Sequence, residues 1–150
     1  MNDAVEKFWN SAINALPELA ASPMPQAWAF GNTKEMADEL SRLVVDGVKT
    51  GTSSRMEDYD AEGDPLPEPG QLSIVLDGSG DPVALIRSSA VEVLIFSEVA
   101  DLHAWHEGEG DRSLSYWRAA HQQFWSHSKD ELDESMLIVY EKFELVYASV

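Results

Sequence analysis

One short stretch of this chain specifies a strand, a tight turn and a second strand. Leu72, Ile74 and Leu76 alternate with Ser73 and Val75, Asp77-Gly78-Ser79-Gly80 supplies turn residues, and the apolar run resumes over 83–86. Successive strand side chains point to opposite faces, and a glycine-rich turn joins neighbours antiparallel, so this stretch predicts a hairpin. A further β-rich run covers 91–96. Near the C-terminus, Ile138, Tyr140, Phe143, Leu145 and Tyr147 predict one or two strands, bulged between Tyr140 and Phe143.

Helical spacing separates these runs. Val5, Phe8, Trp9, Ala12, Ile13 and Leu16 draw one apolar stripe that stops near Pro17, and the proline-containing stretch 20–26 reads as an extended connector. A second helix begins near Asn32 or Thr33, buries Met36, Ala37, Leu40, Leu43 and Val44, and stops at Asp46-Gly47. Others start at Ser97-Glu98 and carry Leu114, Trp117, His121 and Phe124 on one face. From Glu57 to Asp81 there are eight acids and no Lys or Arg, with Pro65, Pro67 and Pro69 as breaks, which predicts an exposed loop. Strands interrupted by helices, without a βαβ rhythm, place the chain in the α+β class, on a small curved sheet or barrel.

Charge narrows the ligand. The chain has 150 residues and a formal net charge of -17, which disfavours extended wrapping of a polyanion but not capture of a short or neutral ligand. It contains no cysteine, so disulfides, thiol nucleophiles and thiolate metal sites are excluded. No window approaches a membrane span and no signal peptide is legible, so a cytoplasmic protein without a membrane partner is expected.

The chemistry-bearing stretch is Gly47-Val48-Lys49-Thr50-Gly51-Thr52-Ser53-Ser54, with one amine and four hydroxyls directly after a helix. A lysine three residues before a threonine can activate that hydroxyl if both point into a pocket. The same residues also fit a helix stop followed by a polar turn with Lys49 solvated. It is not a phosphate loop, because the preceding strand and the glycine–lysine–serine/threonine order are missing.

Several stretches in order resemble the ASCH-domain family of the PUA-like superfamily, from about Trp28 to Tyr147. They are Phe30-Gly31-Asn32, the glycine–x–lysine–x–x–threonine signature at Gly47, Lys49 and Thr52, and Tyr59 with Glu62-Gly63. Val75-Leu76-Asp77-Gly78 follows, then Glu107-Gly108-Glu109-Gly110-Asp111-Arg112-Ser113-Leu114 and Tyr116-Trp117-Arg118. The resemblance implies a small PUA-like β-barrel or strongly curved sheet surrounded by helices, spanning 28–150, with the helix and connector of 1–27 packed on it.

It also implies RNA or modified-nucleoside chemistry. Some members are similar to amidohydrolases that remove acyl groups from N4-acylated cytosine bases or nucleosides with a lysine, a threonine and a glutamate. Others are linked to binding or cleavage of single-stranded RNA. Lys49 and Thr52 match the first two positions. Glu109 is the expected carboxylate, with Glu107 in reserve. On this reading Thr52 attacks the acyl carbon, Lys49 takes its proton and holds the developing charge, and Glu109 positions or protonates the leaving amine, without metal or cofactor. The sequence departs from relatives at Gly51, where a side chain such as alanine is common.

Around this trio, Tyr59, Ser53 and Arg55 are the expected substrate-binding residues, with Tyr59 offering a ring for base stacking. His103 and His106 are three apart, but no third ligand falls at zinc-motif spacing, so no metal site is expected. The expected partner is a small nucleobase or nucleoside, with single-stranded RNA the alternative; the sequence leaves the oligomeric state open.

Overall fold

A computed structural model describes residues 3–125 and 135–149. It contains five α-helices, α1 (Asp3–Ala15), α2 (Lys34–Val45), α3 (Met56–Glu62), α4 (Asp101–Glu107) and α5 (Leu114–Trp125). The strands are β1 (Ala27–Ala29), β2 (Gly51–Arg55), β3 (Leu72–Leu76), β4 (Pro82–Ile95) and β5 (Leu137–Ala148). They form one mixed sheet in the order β1-β3-β4-β5-β2, with β1 parallel to β3 and the β3–β4 and β2–β5 pairs antiparallel. The fold is α+β. Of the two shapes expected, the sheet is open: β1 and β2 are its edges among the described residues.

The chain forms two compact units. The first comprises Met1–Gly47, Gly70–Arg87 and Glu144–Val150. In it the predicted stripe of α1 buries Val5, Phe8, Trp9 and Ala12 in a cluster with Leu19, Ile74 and Leu85. Burying such side chains yields about 1.5–3 kcal/mol each, which holds a helix that propensity alone does not. Thr33 caps α2 by accepting from the Met36 amide at 3.1 Å, and Gly47 ends it at φ 78°, the left-handed region glycine tolerates. The hairpin forms as read, with a register shift at Val75/Leu76.

The second unit comprises Val48–Pro69 and Ser88–Phe143. Its core groups Phe96, Val99, Ala104, Trp117, Trp125 and Ile138. The side chain of Phe124, expected on the same helix face, lies outside the described residues.

Several boundaries differ from the sequence reading. Pro17–Ala21 is a 3-10 turn, so the extended connector begins only at Ser22. The run at 83–86 and all but the last residue of the run at 91–96 are parts of one 14-residue strand, β4, and Phe96 opens the 3-10 turn that follows. The C-terminal run is one strand, β5, whose register with β2 proceeds without a bulge from Ile138 to Lys142. Ser97-Glu98 belongs to a 3-10 turn, and α4 starts at Asp101. The acidic loop contains α3: Arg55 bonds Asp58 and pairs with Glu57, so the first turn neutralises its own acids. No helix among the described residues is long and apolar enough to cross a membrane.

Candidate active site

The hydroxyl-rich stretch expected as a turn is an edge strand. GTSSR lacks apolar alternation, but β2 pairs antiparallel with β5, with Gly51 opposite Lys142, Thr52 opposite Glu141 and Ser53 opposite Tyr140. The Phe143 amide donates to the Thr50 carbonyl at 2.9 Å, so that side of the backbone faces β5. Alternation turns the Gly51 carbonyl to the free edge. Lys49 caps it there, Nζ donating to the Gly51 carbonyl at 2.9 Å.

Lys49 is 2% exposed, so the reading with a solvated lysine is corrected: its amine is among the most enclosed polar groups of the chain. Nζ also donates to the Glu107 carbonyl at 3.4 Å and to Glu109 Oε2 at 3.0 Å. Glu107 Oε1 stands 3.7 Å away. Three acceptors for three N–H groups make Lys49 a fully engaged donor. Burying such an ion is costly unless it is paired and hydrogen-bonded, and two carboxylates meet that condition here.

The two glutamates occupy different surroundings. Glu107, the last residue of α4, is 2% exposed, and its Oε2 accepts from Ser53 Oγ and, at 2.6 Å, from Trp117 Nε1. His121 Nε2 lies 3.6 Å from its Oε1, with the His121 ring stacked on Trp117 at 4.2 Å. Glu109 follows the left-handed Gly108 (φ 74°) and is 23% exposed, so it is the carboxylate on the open side of Lys49. A Cβ at Gly108 lies 2.7 Å from the Val48 carbonyl oxygen, which explains why only glycine separates the two acids.

The residues expected around the trio divide over the faces of β2. Ser53 turns to Glu107 and is occupied by it. Thr52, one residue earlier, lies on the opposite face, half-buried and without a side-chain hydrogen bond among the described residues. Tyr59 shares that second face: its phenol hydrogen-bonds Ser54, and burial, with the charges of Glu141, Asp58 and Asp64, pushes its pKa up. Arg55, the last residue of β2, is engaged by Glu57 and Asp58 of α3, at 20% side-chain exposure.

Gly51 does not loosen this stretch. A Cβ there meets the hydroxyl of Tyr140, a buried phenol whose pKa is raised first by desolvation and then by the charges of Glu107 and Glu92. Gly51→Ala is therefore expected to lower stability by about 1–3 kcal/mol through overpacking, read from urea unfolding. A variant as stable as the parent would show that the Tyr140 ring yields freely.

The fold has known counterparts. Residues 26–147 match the family model described as the ASCH domain. The chain belongs to the ASCH domain family. The fold of this family is PUA-like and often linked to RNA binding. An ASCH domain structure from Lactobacillus crispatus JV V101 is 28% identical, with a TM-score of 0.89 over 98% of this chain and 96% of that one. Protein EF3133 from Enterococcus faecalis V583, assigned to the family DUF984, is 35% identical, with a TM-score of 0.85 over 97% and 89%. Comparison with curated protein sequences gives no match.

Three features of this ASCH domain were not anticipated. Glu141 is a buried carboxylate, 8% exposed, accepting from Ser88 Oγ. Burial pushes its pKa up and the Ser88 bond opposes that shift. Trp117 and His121, read as core, also hold the Glu107 carboxylate. Thr50 Oγ1 lies 3.0 Å from His106 Nδ1, and His106 is shifted down by burial and by the charges of Lys142, Arg112 and His103. His103 instead pairs with Glu92 at 2.7 Å. Only the Glu141 position carried a sequence signal, an acid directly after the apolar run Leu137–Tyr140.

Proposed function

We propose that this ASCH domain is an amidohydrolase that removes the acyl group from an N4-acylated cytosine base or nucleoside. The observation that carries the reading is the buried Lys49 amine, with all three donors aimed and Glu109 at its open side. A fixed cation of this kind suits an oxyanion: it requires no reorganisation when charge develops on the acyl oxygen. Lys49 exchanges the Glu109 contact for that oxygen, and Glu109, released, accepts the N–H of the departing amine. Thr52, on the face of β2 away from Glu107, supplies the nucleophilic hydroxyl at the strand's free edge, where Lys49 Nζ bonds the Gly51 carbonyl. Because Lys49 already gives its protons to three acceptors, it acts here as donor and charge stabiliser rather than as base.

The surface charge agrees with a small substrate. A nucleoside needs a pocket and a few directed groups, whereas a strand needs several phosphate contacts from a chain of net charge -17. One observation favours a second reading, single-stranded RNA binding: Trp105 is 49% exposed, with the Arg112 guanidinium 3.8 Å above its ring, a surface on which bases stack. Incubating the protein with N4-acetylcytidine and, separately, with a short labelled RNA at low salt tests both. The first reading expects cytidine release, and the second a salt-sensitive retained or shortened strand. Absence of cytidine release with tight RNA retention would reverse their order.

A further inference from the structure

We infer that Glu141 is the general base for Thr52, a catalytic residue that the lysine–threonine–glutamate pattern does not contain; this rests on the amidohydrolase reading above. Thr52 and Glu141 are directly opposite on β2 and β5, where Cβ atoms of facing residues lie about 4.5–5.5 Å apart. Thr52 faces away from Ser53, which reaches Glu107, while Lys49 Nζ stands at the free edge of β2 beside the Gly51 carbonyl. The hydroxyl that attacks is therefore nearer to Glu141 than its three-residue spacing from Lys49 suggests.

Glu141 also lacks a structural reason to be charged. It is 8% exposed and pairs with no cation among the described residues; its hydrogen bond comes from Ser88. A carboxylate in such a place costs stability, and buried ionisable groups of this kind mark candidate functional sites. The groups that face it are Ser88 of β4, Thr52 of β2 and Tyr59 of α3, none of them charged at neutral pH. Burial raises its affinity for a proton, bringing it closer to the value a base needs to accept and return one near neutrality.

The proton balance closes on this one group. As the bond from Thr52 Oγ to the acyl carbon forms, the hydroxyl proton passes to Glu141, which returns it to the amine nitrogen as the C–N bond breaks. Water then attacks the ester, gives a proton to Glu141, and Thr52 takes that proton back as its bond to the acyl carbon breaks. The net change is amide plus water to carboxylic acid plus amine.

The test uses a small sulfonyl fluoride, read by peptide mass spectrometry, so that it does not depend on the substrate assigned above. The Thr52 oxygen bonds to sulfur, fluoride leaves and the proton goes to Glu141. The parent protein is expected to be labelled at Thr52, and Glu141→Gln, which keeps the shape and can still accept from Ser88, to be labelled at least about 100-fold more slowly. A folding readout accompanies it. A carboxyl whose folded pKa is raised gives stability that is complete below its unfolded pKa and lost as pH rises through the folded one, so Glu141→Gln gains stability relative to the parent as pH rises above the unfolded value of about 4. Equal labelling rates in the two proteins, or no labelling of Thr52 in the parent, would overturn the assignment. Glu141-dependent labelling without turnover of N4-acetylcytidine would leave the base in place and reject only the substrate.

Discussion

Replacing Lys49 by methionine is expected to abolish turnover and to destabilise the fold together. The variant fills nearly the same volume but leaves the Glu107 and Glu109 carboxylates without their cation, and Glu107 is 2% exposed. Removing one partner of a buried ion pair costs about 3–5 kcal/mol, because the remaining charge stays desolvated. Turnover falls by about 10²–10³ or more, the usual loss when a single oxyanion donor is removed. Unfolding in urea measures the first effect, and deacylation under conditions where the variant remains folded measures the second. A double variant, Lys49→Met with Glu107→Gln, should recover part of the stability and none of the activity. Recovery of both would mean that Lys49 serves packing alone.

Thr52→Ala separates the two effects. The side chain is half-buried and makes no hydrogen bond to lose among the described residues, so stability should stay within about 0.5 kcal/mol of the parent. Turnover should fall about 10³-fold or further, as expected for removal of an attacking hydroxyl. The neighbouring Ser53→Ala is the control. It removes a hydroxyl from the other face of β2, where it donates to Glu107, so it should cost about 1–3 kcal/mol in stability, since Glu107 loses a buried donor. If Ser53→Ala removed turnover and Thr52→Ala did not, the nucleophile would lie on the Glu107 face and the assignment of β2 faces would be reversed.

The sequence showed the fold wherever a segment pays for its order with apolar burial. The stripe of α1, the face of α2, the Thr33 cap and the β3–β4 hairpin all carry periods of 3.6 or 2 that local side-chain geometry converts into structure. What it hid was held by distant partners. The GTSSR segment has no alternation and reads as a turn, but becomes a strand because β5 pairs with it from far along the chain, Gly51 with Lys142 through Arg55 with Ile138. The α3 segment reads as loop because acids crowd it, and is helical with Arg55 meeting two of them. A β4 of 14 residues is divided in the sequence by polar Arg87, Ser88 and Ser89, since a strand covered on changing faces need not keep one pattern.

The sequence named candidate residues and not their geometry. The family signature matched Lys49 and Thr52, with Glu109 the expected carboxylate and Glu107 in reserve; Lys49 bonds Glu109 at 3.0 Å and stands 3.7 Å from the Glu107 carboxylate. The parity of β2 was not legible, because it depends on where strand pairing begins. That parity places Ser53 against Glu107 and Thr52 opposite Glu141. The roles of Trp117 and His121 were likewise hidden, since both sit at positions of α5 that a packing stripe also fills. Arg55 illustrates the reverse: it was expected to bind substrate, yet two local acids engage it first.

The central claim is that Lys49 organises hydrolysis of an amide on a nucleobase amine, and one assay reaches it directly. Purified protein and its Lys49→Ala variant are incubated with N4-acetylcytidine at neutral pH, and cytidine and acetate are followed by chromatography. The account predicts equimolar release of the two products by the parent and none above background by the variant. Release at the same rate by both proteins, or none by the parent, would contradict it.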